Sequence, residues 1–232
     1  MNDNFLPTHI GIGCRRCASS WIHKILDYHP EITKKKNGGI HFFTDNWGNG
    51  VDWYKQQFIS NNKVKIDFSV SYSYPENIDD VIFRIKKHIS NIKIFIIIRN
   101  PVDRAYSDYL RSIRMGEVKK NLNYETINEK HPEFLLRGLY ANIIKKYIAA
   151  FDQKNIKVFF YDDIDKNPDL FAKNLFSYLN VEKIDIPDSL IKSNEPKSKN
   201  LKYVTINKLL ISTKLVIDSI IRAINLYGCW SD

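Results

Sequence analysis

Basic and hydroxyl residues stand directly after the first predicted strand and open the first predicted helix. Residues 14–20 read CRRCASS, and they follow an apolar run that contains Gly11 and Gly13. The backbone N–H groups in the first turn of a helix have no intrahelical acceptor, and the helix dipole places positive charge there. A phosphate or sulfate is the natural ligand of such a turn. We therefore predict an anion-binding loop at residues 14–20.

A second basic group follows the most apolar segment, residues 92–98 (IKIFIII). Arg99 stands where this predicted strand ends, and Pro101 suits the first turn of a new helix. Basic and hydroxyl residues then recur at three- and four-residue spacing and share one helix face: Arg104, Ser107, Arg111 and Arg114. A guanidinium and a hydroxyl suit a phosphate monoester. We predict that Arg99 and Ser107 bind a phosphate, with an exposed basic helix face as the alternative.

The pattern of strands and helices predicts an α/β fold. Four β-rich runs, at 8–13, 63–69, 92–98 and 156–161, alternate with segments of helical periodicity. A chain of 232 residues that is 44% hydrophobic can bury one full core. We predict a single domain over 1–232, with a central parallel sheet of about four or five strands flanked by helices. Ligands of such sheets bind at the carboxyl ends of the strands.

Four further segments are assigned by composition. Residues 34–50 are predicted to form an ordered loop over the site, and residues 115–132 to contact substrate. The basic segment 192–200 is either a lid or an ordinary linker. Residues 201–232 are predicted to form a C-terminal amphipathic helix, because charged residues interrupt the apolar run too often for a membrane span. Weak contact with a membrane surface is the minor alternative.

The net charge of +9 favours an anionic partner. Specific nucleic-acid binding is disfavoured, since basic and aromatic residues do not interleave on one strand face. Three cysteines and a polar N-terminus predict a cytoplasmic protein. Cys14 and Cys17 could instead form a thioredoxin-like redox pair. No metal site is predicted, because Cys229 and the scattered histidines make a poor zinc ligand set.

Three stretches together resemble a known family: IGCRRCASSW, LDYHPEI and IIRNPVDRAYSDY. They are similar to motifs of the sulfotransferases that use 3′-phosphoadenosine 5′-phosphosulfate (PAPS), especially bacterial and heparan-sulfate-type members. The segments HFF, VDWY, RGLY and FFYDD extend the resemblance over residues 8–200. It implies a P-loop-like loop that binds phosphosulfate. It also implies transfer of the sulfuryl group to a hydroxyl or amine of a small-molecule or carbohydrate acceptor, with 3′-phosphoadenosine 5′-phosphate (PAP) as product and no metal.

The resemblance also implies roles for individual residues. Arg99 and Ser107 would hold the 3′-phosphate, and Lys197 and Lys199 would close over the nucleotide. Arg16 and Ser20 would stabilise charge on the leaving phosphate oxygen. The loop around the 5′-phosphosulfate would comprise Arg16, Cys17, Ala18, Ser19, Ser20 and Trp21.

The catalytic base is where the sequence departs from the family. Heparan-sulfate-type relatives carry a Lys-Glu pair at the positions of Gly38 and Gly39, and the glutamate is their proposed base. His41 is the closest substitute, since an imidazole accepts protons near neutral pH, and Asp67 is the next candidate. A histidine packed into an aromatic cluster is the alternative for His41. A lysine that is common in the family falls on Phe68.

Two other functions compete with sulfuryl transfer. The missing glutamate is compatible with a catalytically impaired binder of a nucleotide or an anionic glycan. A P-loop nucleotide kinase would share the architecture, although the motif G-x-x-x-x-G-K-[ST] is absent.

Overall fold

The computed structural model describes residues 6–60, 62–119 and 124–192. The predicted lid residues Lys197 and Lys199, and the predicted helix at 201–232, lie outside these ranges. Within the ranges, no helix combines the length and hydrophobicity needed to cross a bilayer.

Four parallel strands form one sheet in the described part of the chain. They are β1 (His9–Gly11), β2 (Ile66–Phe68), β3 (Lys93–Ile98) and β4 (Ile156–Phe160). The order is β2-β1-β3-β4, and all three pairings are parallel. This confirms the predicted α/β fold, and the strands begin and end within the predicted runs.

Helices connect the strands and cover the sheet. Each crossover between parallel strands needs such a connection, and this is why the chain alternates between apolar runs and helical periodicity. Their bounds are α1 (Ser19–Tyr28), α2 (Gly50–Lys55), α3 (Ile78–His88), α4 (Pro101–Arg114), α5 (Tyr124–Lys130), α6 (Glu133–Leu136), α7 (Tyr140–Phe151), α8 (Tyr161–Lys166), α9 (Pro168–Tyr178) and α10 (Asp188–Lys192).

Helix α4 begins almost at the last residue of β3. The side-chain oxygen of Asn100 accepts hydrogen bonds from the backbone N–H groups of Val102 (3.0 Å) and Asp103 (3.4 Å). Pro101 occupies the first helical position, where its missing N–H costs nothing. This cap fixes Arg99 at the carboxyl edge of the sheet, as the sequence predicts.

The ring of Phe68 fills the space over the start of the loop after β1. It is fully buried and stacks parallel to Phe95, with the ring centroids 5.5 Å apart. A β-carbon on Gly11 or Gly13 would overlap this ring. The ring of Phe68, at a position where the resemblance to the family implies lysine, therefore requires glycine at both positions.

The aromatic residues of the segment 34–50 pack into the hydrophobic core. Phe42 and Phe43 are fully buried, and Phe42 stacks on Tyr54 with a centroid distance of 4.1 Å. Trp47 packs against both phenylalanines. The segment is ordered by burial of its aromatic residues, and His41 immediately precedes this cluster.

Candidate functional site

Two residues of the loop between β1 and α1 have a left-handed backbone conformation. Arg16 has φ 73° and Ala18 has φ 61°. Residues other than glycine rarely adopt this region of backbone conformation. The carbonyl of Ala18 accepts hydrogen bonds from the N–H groups of Trp21 and Ile22, both at 2.9 Å. Ala18 thus starts helix α1, at the position where the family pattern has glycine.

Replacing Ala18 with glycine is expected to raise the free energy of unfolding by about 1 kcal/mol, because glycine adopts left-handed φ without a β-carbon clash. Urea denaturation followed by circular dichroism measures the change. Ala149→Gly is the matched control, since Ala149 is exposed in the right-handed helix α7 and its replacement should cost about 1 kcal/mol. An Ala18→Gly variant less stable than the parent would contradict the expected relief of strain.

Three predicted phosphate-binding residues meet at the carboxyl edge of the sheet. The Nε of Arg16 donates to the hydroxyl oxygen of Ser107 at 3.0 Å, across 91 residues of sequence. Arg99 donates from Nη1 to the carbonyl oxygen of Arg16 at 3.3 Å. The guanidinium of Arg99 also lies 4.4 Å from the ring centre of Tyr161, a cation–π contact that orients it. The loop, the end of β3 and helix α4 therefore form one basic site.

The site carries more positive than negative charge around Arg16. Burial lowers the pKa of Arg16, and the neighbouring Arg114, Arg111 and Arg99 lower it further, while Asp108 opposes them. A guanidinium surrounded by other guanidinium groups is stabilised by a bound anion. The electrostatics therefore suit a multiply charged ligand such as a nucleotide with two phosphate groups.

The other residues predicted to form the anion-binding loop differ in the solvent exposure of their side chains. Ser20 is exposed and Ser19 is partly exposed, both in the first turn of α1. The side chains of Cys17 and Trp21 are buried, and Trp21 donates from its indole N–H to the carbonyl of Leu190 at 2.9 Å. The serines thus present their hydroxyls, whereas Cys17 and Trp21 support the loop from the core.

The cysteines of the CRRC segment lie beneath the loop. Cys14 is 1% exposed and Cys17 is fully buried, with its sulfur 3.9 Å from the hydroxyl of Tyr140. Burial raises the pKa of Cys14 well above its ordinary value. A thioredoxin-like redox pair needs an accessible thiolate, and this burial favours a packing role for both thiols.

Arg104 does not lie on an exposed basic face, so the alternative of an exposed basic helix face fails for this residue. Its side chain is fully buried, with Nη1 3.1 Å from Oδ2 of Asp108. Its Nη2 also donates to the carbonyl oxygen of Phe134. The other carboxylate oxygen of Asp108 lies 2.7 Å from Nε of Arg15. Asp108 thus joins a buried arginine to the loop, a link that sequence reasoning missed although the four-residue spacing from Arg104 is a known signal.

The adjacent arginines of the loop therefore have different partners. Arg15 is paired with Asp108, whereas Arg16 reaches Ser107 and the neighbouring arginines. Among the described residues, Arg15 has a carboxylate within salt-bridge distance and Arg16 does not, which suits Arg16 to bind an anion.

His41 lies on the same edge of the sheet as the loop. Its Nδ1 is 2.7 Å from the hydroxyl oxygen of Ser71, in the segment Val70–Ser73 that follows β2. The hydroxyl of Ser73 in turn donates to the carbonyl of Gly13 at 3.1 Å. A β-carbon on Gly39 would lie 2.6 Å from Nε2 of His41. The imidazole therefore covers Gly39, the position at which the resemblance to the family implies glutamate.

Asp67, the second candidate base, is held inside the protein. It is fully buried and accepts hydrogen bonds from the hydroxyls of Tyr54 (2.8 Å), Ser69 (2.7 Å) and Tyr72 (2.6 Å). Ser69 also accepts from the backbone N–H of His41 at 3.0 Å. This geometry favours an anchoring role for Asp67 beneath His41.

The curated proteins that are similar to this chain include sulfotransferases named for heparan sulfate. Human heparan sulfate glucosamine 3-O-sulfotransferase 5 is 35% identical over 123 residues, which cover 51% of this chain and 34% of that protein. Bifunctional heparan sulfate N-deacetylase/N-sulfotransferase 1 of Caenorhabditis briggsae is 23% identical over 198 residues, covering 76% of this chain and 23% of that protein. The chain thus spans about a third or less of the length of these relatives.

Solved structures share the fold over nearly the whole chain. A sulfotransferase from Alicyclobacillus acidocaldarius matches with a TM-score of 0.77 and 21% identity, covering 96% of each chain. A mouse sulfotransferase complexed with PAP matches with a TM-score of 0.59 and 14% identity, covering 95% of this chain and 86% of that one. The family model "Sulfotransferase domain" matches residues 8–213. The chain therefore belongs to the sulfotransferase domain family.

Proposed function

We propose that the protein transfers the sulfuryl group of PAPS to a hydroxyl or amine of a carbohydrate or small-molecule acceptor and releases PAP. The observation that carries the proposal is the hydrogen bond from Arg16 to Ser107, which joins the loop to the second phosphate-binding motif. A ligand that spans both motifs needs a phosphate group at each end, and PAPS has this form. The names of the relatives that act on heparan sulfate support a carbohydrate acceptor.

The donor would be held by the two halves of the basic site. Arg99 and Ser107 take the 3′-phosphate, while Arg16, the first-turn serines and the loop N–H groups take the 5′-phosphosulfate. Negative charge grows on the leaving phosphate oxygen during transfer, and Arg16 is placed to stabilise it. Arginine and backbone N–H groups supply this charge stabilisation, so the proposal requires no metal. Lys197 and Lys199 are proposed to close over the nucleotide.

His41 is the proposed base that removes the acceptor proton. A general base must reach the reacting hydroxyl or amine and must carry a lone pair near neutral pH. The imidazole covers Gly39, where relatives place their glutamate, and it is tied to the phosphosulfate loop through Ser71 and Ser73. His41 thus supplies a proton acceptor where the sequence has lost the carboxylate.

Binding of PAP, measured by isothermal titration calorimetry, tests the donor site. Arg99→Ala is expected to weaken binding about 10- to 100-fold, because a hydrogen bond to a charged group contributes about 1.5–3 kcal/mol. Lys146→Ala is the control, since Lys146 is paired with Asp79 on the surface and should bind PAP like the parent. Equal binding by Arg99→Ala and the parent would contradict the assigned 3′-phosphate site.

Incubation with PAPS labelled with radioactive sulfur and a panel of oligosaccharides, phenols and amines tests transfer. Labelled product supports the proposed activity. PAP binding without any labelled product would favour a catalytically impaired binder. Failure to bind PAP, together with magnesium-dependent binding of ATP, would favour the nucleotide kinase.

A further inference from the structure

We infer that Ser71 and Thr44 are positioning residues that fix the neutral imidazole of His41 with its proton on Nδ1 and its lone pair on Nε2. The inference rests on the proposed function for its catalytic meaning, because it concerns the proposed base. Its physical content, the position of one proton, can be measured without donor or acceptor. A ring of hydrogen bonds around His41 determines this position.

Three short contacts form a ring that begins and ends at His41. Nδ1 of His41 lies 2.7 Å from the hydroxyl oxygen of Ser71, and that oxygen lies 2.7 Å from the hydroxyl oxygen of Thr44. The Thr44 hydroxyl lies 3.2 Å from the carbonyl oxygen of His41. Ser71 is only 3% exposed, so water does not readily replace these contacts.

The available protons fix which group donates in each of these three hydrogen bonds. With one proton in each of the three contacts, Thr44 donates its single proton to the carbonyl oxygen of His41, because a carbonyl oxygen only accepts. The contact between the two hydroxyls then needs the proton of Ser71, which is donated to Thr44. Ser71 has no proton left for the imidazole, so Nδ1 of His41 must donate to Ser71. In the reverse direction the contact between Thr44 and the carbonyl would hold no proton.

Backbone hydrogen bonds hold His41 in place, so that its imidazole keeps Nδ1 on Ser71. His41 has φ 53°, and its N–H donates to Ser69 while its carbonyl also accepts from the N–H of Asn46 at 3.1 Å. With Nδ1 tied to Ser71, Nε2 points over Gly39. Since a β-carbon there would lie 2.6 Å from Nε2, any side chain at position 39 would displace the imidazole. Glycine at position 39 thus allows the imidazole to keep this orientation.

The neighbouring His23 does not supply a competing charge. Burial lowers the pKa of His23 to about 3, with Lys35 and His41 lowering it further, so its imidazole is neutral near pH 7. The proton position of His41 is therefore set by Ser71 and Thr44 rather than by a charged histidine.

Nitrogen-15 NMR of the imidazole side chains tests the inference directly. Spectra are recorded about two pH units above the ordinary histidine pKa of about 6.5, and His41 is assigned with a His41→Gln variant. The parent protein is expected to show a protonated Nδ1 and an unprotonated Nε2. Ser71→Ala is expected to move the proton largely to Nε2, the form that free imidazole side chains prefer in water. Thr44→Val is expected to give a mixture, because Ser71 can then donate to Nδ1.

Ser71→Thr and Ser177→Ala are the matched variants. Ser71→Thr keeps the hydroxyl and should keep the proton on Nδ1, and Ser177 is exposed on α9 and far from this ring in sequence. A protonated Nε2 in the parent would overturn the inference. An unchanged tautomer in Ser71→Ala would overturn it as well.

The labelled-donor assay separates this inference from the proposed function. Ser71→Ala should lower kcat at least about tenfold, since a general base contributes about 10²–10⁴-fold, while its affinity for PAP stays at the parent value. Recovery of kcat in Ser71→Thr supports the positioning role. If the parent transfers no sulfuryl group, the proposed function fails, whereas the NMR result still decides the proton position. An unchanged kcat in Ser71→Ala, in a parent that is active, would contradict the positioning role.

Discussion

Asp108→Ala is expected to lower the free energy of unfolding by about 3–5 kcal/mol. Asp108 and Arg104 are both fully buried, and their charged groups lie 3.1 Å apart. Removing the carboxylate leaves the guanidinium of Arg104 inside the protein without its counter-ion, and desolvation of that charge is no longer offset. Arg15 would lose its partner at the same time. Urea unfolding monitored by tryptophan fluorescence measures the change.

Asp79→Ala is the matched control for Asp108→Ala. Asp79 also pairs with a cation, with its carboxylate oxygen 2.7 Å from Nζ of Lys146, but this pair lies at the surface. Exposed pairs contribute about 0–1 kcal/mol, so this variant should unfold almost like the parent. Asp108→Asn should fall between the two, because the amide keeps the shape and loses the charge. Losses of equal size in Asp108→Ala and Asp79→Ala would contradict the role assigned to the buried pair.

Arg16→Ala is expected to lower kcat for sulfuryl transfer by about 10²–10³-fold, the usual cost of removing one preorganised donor from a developing negative charge. No carboxylate in the described part of the chain forms a salt bridge with Arg16, and the nearby arginines favour a bound anion as its partner. Its hydrogen bond to Ser107 also links the two halves of the proposed donor site. Single-turnover measurements with labelled PAPS, at saturating donor, separate this loss from weaker donor binding.

Arg15→Ala distinguishes the two adjacent arginines. Arg15 pairs with Asp108, so its removal should reduce stability and change the single-turnover rate far less than removal of Arg16. Arg16→Lys keeps the charge but loses the planar group that donates to Ser107, and it should recover only part of the rate. A larger rate loss in Arg15→Ala than in Arg16→Ala would reverse the assignment of the transition-state contact.

The elements that position the site follow from local patterns in the sequence. The segment 92–98, apolar except for Lys93, predicts a strand buried on both faces, and β3 confirms it for Ile94–Ile98. Asn100 and Pro101 are a cap and a first helical residue, and α4 begins there. Since the carboxyl ends of parallel strands share one edge, the convergence of Arg99 with the loop after β1 could be predicted as well.

The depth of side chains could not be predicted in the same way. Helical spacing places Arg104 and Ser107 on neighbouring turns, but it does not say whether a long basic side chain points to water or to a buried carboxylate. The hydrogen bonds of Ser71 and Thr44 around His41 could not be predicted from the sequence for a related reason. These residues lie in separate segments, and their hydrogen bonds depend on how the segments pack rather than on any local period.

The contact between Phe68 and the two glycines of the β1 loop has an evolutionary consequence. The ring leaves no room for a β-carbon at position 11 or 13, so these three positions cannot change independently. Without the ring of Phe68, position 13 is released from this constraint, whereas the ring of Phe95 still excludes a β-carbon at position 11. Positions 13 and 68 should therefore co-vary among related sequences, while glycine at position 11 should persist.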